Sequence, residues 1–173
     1  MTNMDNENGR KTDWEAVYDA LMPRLYNFFR YRVGDNVVAQ DLTSSTLMRV
    51  WRSRDSYRAD LGAFEAWVFT IARNVSVDYL RKKRATVSID TLYHLATQTS
   101  VEGEVQKRHD FEQLYVRLRT LATHEQELIA LKYGAGMTNR AIAEATGLTE
   151  SNVGTTLHRI IKRLRAEWEL HYG

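Results

Sequence analysis

Residues 138–160 read TNRAIAEATGLTESNVGTTLHRI, and their spacing is that of a helix-turn-helix. The small side chain of Ala143 lets two helices cross closely, and Gly147 is placed to take a positive φ at the turn. Val153 then packs the second helix back onto the first, with Ile142, Leu148, Leu157 and Ile160 completing the core. Thr138 is placed to cap the first helix, Gly147 to end it, and Thr149 to cap a second helix that runs to about Trp168. Ser151, Asn152, Thr155, His158, Arg159 and Lys162 are left facing outward. They are short polar or cationic groups suited to base edges and phosphates. The plainer alternative is a helical hairpin whose outer face is merely soluble. Gly154 stands out, because a glycine inside a helix costs about 1 kcal/mol. Either a backbone approaches closely there or the glycine is simply tolerated.

The segment upstream has the same helical period. Phe111, Leu114, Leu118 and Leu121 fall in register from about Glu104. Thr123-His124-Glu125-Gln126 reads as a capping box with Thr123 at the N-cap, opening a helix through Leu128, Ile129 and Leu131 that Gly134 closes. Residues 85–103 break the pattern, being rich in Thr and Ser with only short apolar fragments, and read as a linker. The reading therefore has an amino-terminal domain over 12–84, a linker over 85–103 and a helix-turn-helix domain over 104–170.

In the amino-terminal domain, Trp14, Val17, Tyr18, Leu21, Leu25 and Phe28 make one apolar stripe. Pro23 interrupts it, so this element is either one kinked helix or two, with Pro23 in the first turn of the second. Gly34 suits a C-terminal cap, and Asp35 or Asn36 the next N-cap. A second helix runs to about Arg54 with Val38, Leu42, Val50 and Trp51 inward. Residues 55–62 read as a loop. A long amphipathic helix follows from about Ala63, with Phe64, Trp67, Val68, Ile71, Val75 and Tyr79 on one face. Its period makes Trp67 core rather than a stacking platform, though both roles stand open. No stretch alternates long enough for a strand, so the fold class is all-α: two small helical domains joined by a linker, the second a helix-turn-helix.

Composition narrows the function classes. The 173 residues are 43% hydrophobic and 10% aromatic, which argues against disorder, and each half is near the size where a helical core just suffices. No apolar run is long enough to span a bilayer, and Met1 to Lys11 is polar, unlike a signal peptide, so no membrane insertion and a cytoplasmic location are expected. With no cysteine, disulfides, thiolate nucleophiles and Cys-based zinc sites are excluded. The net charge of +2 is unevenly spread: residues 49–84 carry 9 basic against 4 acidic side chains and end in Arg81-Lys82-Lys83-Arg84. Such a cluster serves phosphate binding or, equally, complements a helix C-terminus. The five histidines show no metal spacing, and there is neither a Gly-rich phosphate loop nor a His-Glu-x-x-His, so neither enzyme chemistry nor a cofactor is expected.

Taken in order along the chain, these pieces resemble the extracytoplasmic-function group of sigma factors. In the first domain the resemblance rests on Ala39-Gln40-Asp41-Leu42, Leu47, Arg49-Val50-Trp51, Phe64, Ala66-Trp67-Val68, Ile71-Ala72-Arg73-Asn74 and Asp78-Tyr79-Leu80-Arg81. In the second it rests on Glu127-Leu128, Leu131, Tyr133, Ile142-Ala143, Val153 and Arg159. The resemblance implies that the helix from Asp41 to Trp51 docks on the β′ subunit of core RNA polymerase, with Asp41, Ser45 and Arg49 at the contact. It implies further that the 55–62 loop and following helix recognise and open the minus-ten element of promoter DNA through Tyr57, Arg58, Asp60, Asn74, Asp78 and Arg81. Lys82, Lys83 and Arg84 would hold phosphates there without reading sequence. The six outward residues of the last helix would read the minus-35 element, and an anti-sigma factor would be a partner. Two departures stand out: Ser44-Ser45 replaces the Gln-Glu usual on the docking helix, and Gly154 and Thr156 occupy places usually basic. The competing reading, a dimeric helix-turn-helix repressor or activator with a helical sensor domain, leaves the aromatic-basic helix at 64–84 unexplained.

Overall fold

A computed structural model describes residues 14–87 and 102–172, which are helical apart from short connections. The helices are α1 (Trp14–Val33), α2 (Asn36–Ser53), α3 (Phe64–Val87), α4 (Glu102–Leu118), α5 (Thr123–Ile129), α6 (Asn139–Thr146) and α7 (Glu150–Tyr172). A short 3-10 turn, Arg54–Ser56, follows α2, and a π turn, Ala130–Gly134, extends α5. Most of the expected linker, residues 88–101, lies outside the described residues; Ala85 to Val87 belong to α3, and Glu102 and Gly103 to α4.

Local chemistry explains most of the boundaries. Gly34 ends α1 at φ +73, donating its N–H to the Arg30 carbonyl, and the Asp35 carboxylate caps α2 by accepting from the Val38 N–H at 2.9 Å. Of the two alternatives at Pro23, the structure has a single helix with the proline inside it. Thr43 and Thr46, buried on α2, turn their hydroxyls back to the Ala39 and Leu42 carbonyls at 2.7 Å, so no buried hydroxyl is left unmatched there.

The N-cap of α5 is a correction. It is Ala122, not Thr123, with Glu125 three residues on. A methyl group accepts no hydrogen bond, so only half of a capping box exists: Glu125 Oε2 accepts from the Ala122 N–H at 3.2 Å. Thr123 is drawn instead into contacts with the first domain through its carbonyl and hydroxyl oxygens.

Leu25, Phe28 and Phe29 of α1 and Val68, Phe69 and Ala72 of α3 are fully buried, with Phe28 edge-on to Phe29 and Phe69 at centroid separations of 5.1 and 5.8 Å. Leu128, Leu131, Met137, Ile142, Val153, Leu157 and Ile160 fill the carboxy-terminal domain. Three residues expected inside are not: Trp51 is 45% exposed, Tyr18 47% and Leu148 40%. Trp51 lies at the rim of α2, edge-on to Trp14 at 5.4 Å, while Leu148 sits in the turn just outside the α6–α7 contact.

The two domains are packed on one another. The π turn and α5 lie on α1, and α6 lies on α3. A Cβ on Gly134 would fall 2.9 Å from the Asn27 carbonyl oxygen and 3.1 Å from Phe28 Cα, so only glycine permits this approach.

Candidate nucleic-acid interface

The helix-turn-helix forms from its own short-range chemistry. Thr138 Oγ1 accepts from the Ala141 N–H at 3.1 Å, Gly147 ends α6 at φ +74, and Thr149 Oγ1 accepts from the Asn152 N–H at 3.1 Å. Val153 and Ile160 are fully buried beneath α7, which turns Ser151, Asn152, Thr155, His158, Arg159 and Lys162 outward, all six exposed. Thr156 is buried and bonds to Asn152 Oδ1 at 3.2 Å; Arg159 bonds back to the Thr156 hydroxyl at 3.3 Å. The place where a basic residue was expected therefore faces the core side. A Cβ on Gly154 would meet only Asn139 Nδ2, at 3.5 Å, so nothing within the chain requires that glycine.

The second cluster joins the 55–62 loop to the start of α3. Tyr57, Phe64 and Trp67 pack ring to ring at 5.1 to 5.5 Å, and the Tyr57 hydroxyl donates to the Gly62 carbonyl at 3.1 Å, which closes the loop. Trp67 is half-buried, so it is both wall and ring partner. A cavity of about 210 Å³ opens here, lined by Tyr57, Arg58, Leu61, Trp67, Thr70 and, from α6, Glu144. Arg58 and Asp60 form an exposed two-pronged pair at 3.1 and 2.6 Å, and that guanidinium holds the Asp60 carboxyl below the usual carboxylate range. Farther along α3, Asn74 is exposed and Asp78 pairs with Arg81 at 3.1 Å. Lys82, Lys83 and Arg84 project into solvent, with Arg84 reaching the Thr123 hydroxyl at 3.4 Å.

A third face lies on α2. Asp41, Ser45 and Arg49 recur at every fourth position and are all exposed, bordered by exposed Met48. Beside it, Trp14, Val17, Tyr18, Leu47, Met48 and Trp51 line an apolar groove of about 520 Å³ between α1 and α2. The sequence reading missed this groove by turning Tyr18 and Trp51 inward. It also assigned no part to Glu144 or to the Arg73–Glu127 pair, although Arg73 and Glu127 were among the residues that carried the resemblance. Among the described residues, no group of three or more potential ligands could hold a metal ion, and no helix is long and apolar enough to cross a membrane.

A helix-turn-helix is folded against an aromatic and cationic helical domain, and each carries an exposed polar or cationic face. The description Sigma-70 region 2 matches residues 17–86, and Sigma-70, region 4 matches residues 111–164. The chain belongs to the sigma-70 family of transcription initiation factors, in its extracytoplasmic-function (ECF) group. ECF RNA polymerase sigma factor BldN of Streptomyces coelicolor is 28% identical over 159 residues, which span 90% of this chain and 60% of BldN. ECF RNA polymerase sigma factor SigX of Bacillus subtilis is 28% identical over 165 residues, 91% of this chain and 84% of SigX. The fold is similar to that of the sigma factor RpoE from Bartonella quintana, solved in complex with the anti-sigma factor NepR, at TM-score 0.67, 22% identity, and coverage of 89% of this chain and 95% of that one. It is also similar to CnrH, solved with the cytosolic domain of CnrY, at TM-score 0.62 and 22% identity, covering 91% of this chain and 86% of CnrH.

Proposed function

We propose that the chain is a cytoplasmic, non-enzymatic alternative sigma factor that binds core RNA polymerase and directs it to a particular class of promoter. The observation that carries this reading is the succession of regions 2 and 4 along the chain, each coinciding with an exposed polar face of the right chemistry. Residues 12–84 bind polymerase and open the minus-ten element, 85–103 connect, and 104–170 read minus-35. Asp41, Ser45 and Arg49 meet the β′ subunit. Unstacking a base for the 210 Å³ cavity costs a few kcal/mol, which stacking on Tyr57 and Trp67 and cationic contacts from Arg58 and Arg81 offset. Asn74 and Asp78 supply polar contacts beside the cavity, Asp60 orients Arg58, and Lys82, Lys83 and Arg84 hold phosphates. Ser151, Asn152, Thr155, His158, Arg159 and Lys162 enter the major groove at minus-35. By likeness to RpoE, solved with the anti-sigma factor NepR, an anti-sigma factor is its regulator.

In vitro transcription with purified core polymerase on a library of random promoters tests the reading: a defined set of start sites is expected, and none at all would refute it. The docking assignment is tested by Asp41→Arg, which should lower affinity for core polymerase about tenfold, or ~1.4 kcal/mol. Unchanged binding removes Asp41 from the contact.

A further inference from the structure

A buried guanidinium with an unused edge lies where α1, α3 and α5 meet. Arg32, in the last turn of α1, is 1% exposed, and its Nη1 donates to the Thr123 carbonyl at 3.2 Å. Its Nε and Nη2 are buried and have no hydrogen-bond partner. These two nitrogens form one edge of the planar group, whose parallel N–H bonds match two oxygens of an oxyanion. The charge around Arg32 is unbalanced as well. Arg73 and Arg84 lie about three turns apart on one face of α3. Opposite them α5 presents Glu127 to the first and Thr123, one turn earlier, to the second. Glu127 is already engaged by Arg73 at 3.0 Å, whereas Arg84 reaches the Thr123 hydroxyl at a long 3.4 Å. Burial lowers the pKa of Arg32; Glu127 and Tyr115 raise it, and the neighbouring Arg73 and Arg84 guanidiniums lower it again. Burial pushes the Tyr115 phenol up, so that group stays neutral and supplies no anion. Among the described residues neither Arg32 nor Arg84 forms an ion pair, which leaves two positive charges beside Thr123.

We propose that Arg32, Arg84 and Thr123 form a binding site for a small phosphate-class dianion. The free edge of Arg32 holds it with two parallel hydrogen bonds, the Thr123 hydroxyl donates a third, and Arg84 completes its neutralisation. Arg84 and Thr123 are exposed, so solvent reaches the site along their rim, and the ligand enters by displacing the contact between them. Two unpaired cations select a dianion, either inorganic phosphate or the terminal phosphate of a phosphomonoester, over a diester or a carboxylate that brings a single charge. Binding would match donors that are otherwise buried without partners, whose desolvation the folded chain bears uncompensated. The ligating residues come from α1, α3 and α5, so occupancy stabilises the fold as a whole. The site stands apart from the sigma-factor reading and does not depend on it.

Isothermal titration calorimetry of the full chain with inorganic phosphate, in chloride buffer of constant ionic strength, should show one saturable site. The melting temperature should rise with the same saturation, by roughly 5–10 °C at a phosphate concentration about a hundredfold above Kd. Exclusion of phosphate from the protein surface also stabilises, but without saturating and alike in every variant. Arg32→Met keeps most of the volume and removes the fork, and should weaken phosphate binding about tenfold or more. Because Arg32 is buried, this variant leaves the exposed run Arg81-Lys82-Lys83-Arg84 intact, which separates the site from general attraction to that surface. Should it fail to fold, Arg84→Met, at an exposed position, should weaken binding about tenfold by itself. Dimethyl phosphate, with a single charge, should bind about tenfold more weakly than phosphate. Adenosine 5′-monophosphate identifies the source: tighter binding than phosphate assigns the site to a phosphomonoester, equal or weaker binding to the free ion, and either result upholds it. The proposal is overturned by a wild type without saturable phosphate binding, by undiminished binding in the folded arginine variant, or by dimethyl phosphate binding as tightly as phosphate.

Discussion

The two faces proposed to touch DNA are built in opposite ways. The α7 face comes from one helix whose inner side, Val153, Leu157 and Ile160, is locked in a core, so its six outward residues are presented together. The cavity at Tyr57 and Trp67 is assembled from a loop, from α3 and from Glu144 of a different domain. A face carried by a single helix is always on display. One assembled from several elements changes shape whenever any of them moves.

The largest expected effect tests that contrast on the α3 side. Reversing the charges of Arg81, Lys82, Lys83 and Arg84 should abolish promoter opening, followed by permanganate reactivity of unpaired thymines, while core-polymerase binding survives. These side chains are solvent-exposed, so the loss should come from phosphate contacts rather than from misfolding. Normal transcription by this variant would remove the basic run from the site.

On the α7 side the comparable lesion lies beneath the face. Ile160→Ala empties a fully buried site and should cost about 2–5 kcal/mol, read as a lower melting temperature together with weaker minus-35 binding. A loss well under 1 kcal/mol would mean that the platform is not rigid, and the contrast would blur.

A smaller pair of effects has opposite signs. Gly147→Ala places a Cβ at φ +74 and should destabilise the domain by about 1–2 kcal/mol. Gly154→Ala, in an ordinary helical position with room for a Cβ, should stabilise it by about 1 kcal/mol. If Gly154→Ala also weakened minus-35 binding, the glycine would be serving close approach of DNA, since the protein itself does not need it.

The smallest effect concerns acid. Arg163 donates to Glu125 Oε2 at 2.6 Å, tying α7 to the start of α5, and this bond holds the Glu125 carboxyl below its ordinary value. A depressed carboxylate contributes stability that is present above its unfolded pKa, roughly 4.3, and is lost as pH falls through the lower folded value. Glu125→Gln should therefore cost up to about 1 kcal/mol at pH 7 and little at pH 3, measured by urea denaturation at both. Equal losses at both pH values would assign the effect to packing.

Element by element, the sequence was most informative where structure is local. The caps at Asp35, Thr138 and Thr149 and the glycine turns at Gly34 and Gly147 form hydrogen bonds within a few residues, and all five stand where the sequence places them. The start of α5 did not, because Thr123 answers to Arg32 and Arg84 of the other domain rather than to its own helix. Trp51 and Tyr18 went astray for a related reason. Helical period identifies an apolar side, but only the neighbouring helix decides how far round the circumference burial extends.

The amino-acid order alone thus determined an all-helical chain, its helix-turn-helix, the outward residues of α7 and the polar ladder on α2, since each follows from period and short-range hydrogen bonding. Only the tertiary structure decided that the domains close on one another, that Gly134 lets the π turn rest on α1, and that Glu144 walls the cavity. Those features pair residues far apart in the chain, and such pairing leaves no periodic trace in either partner's own segment.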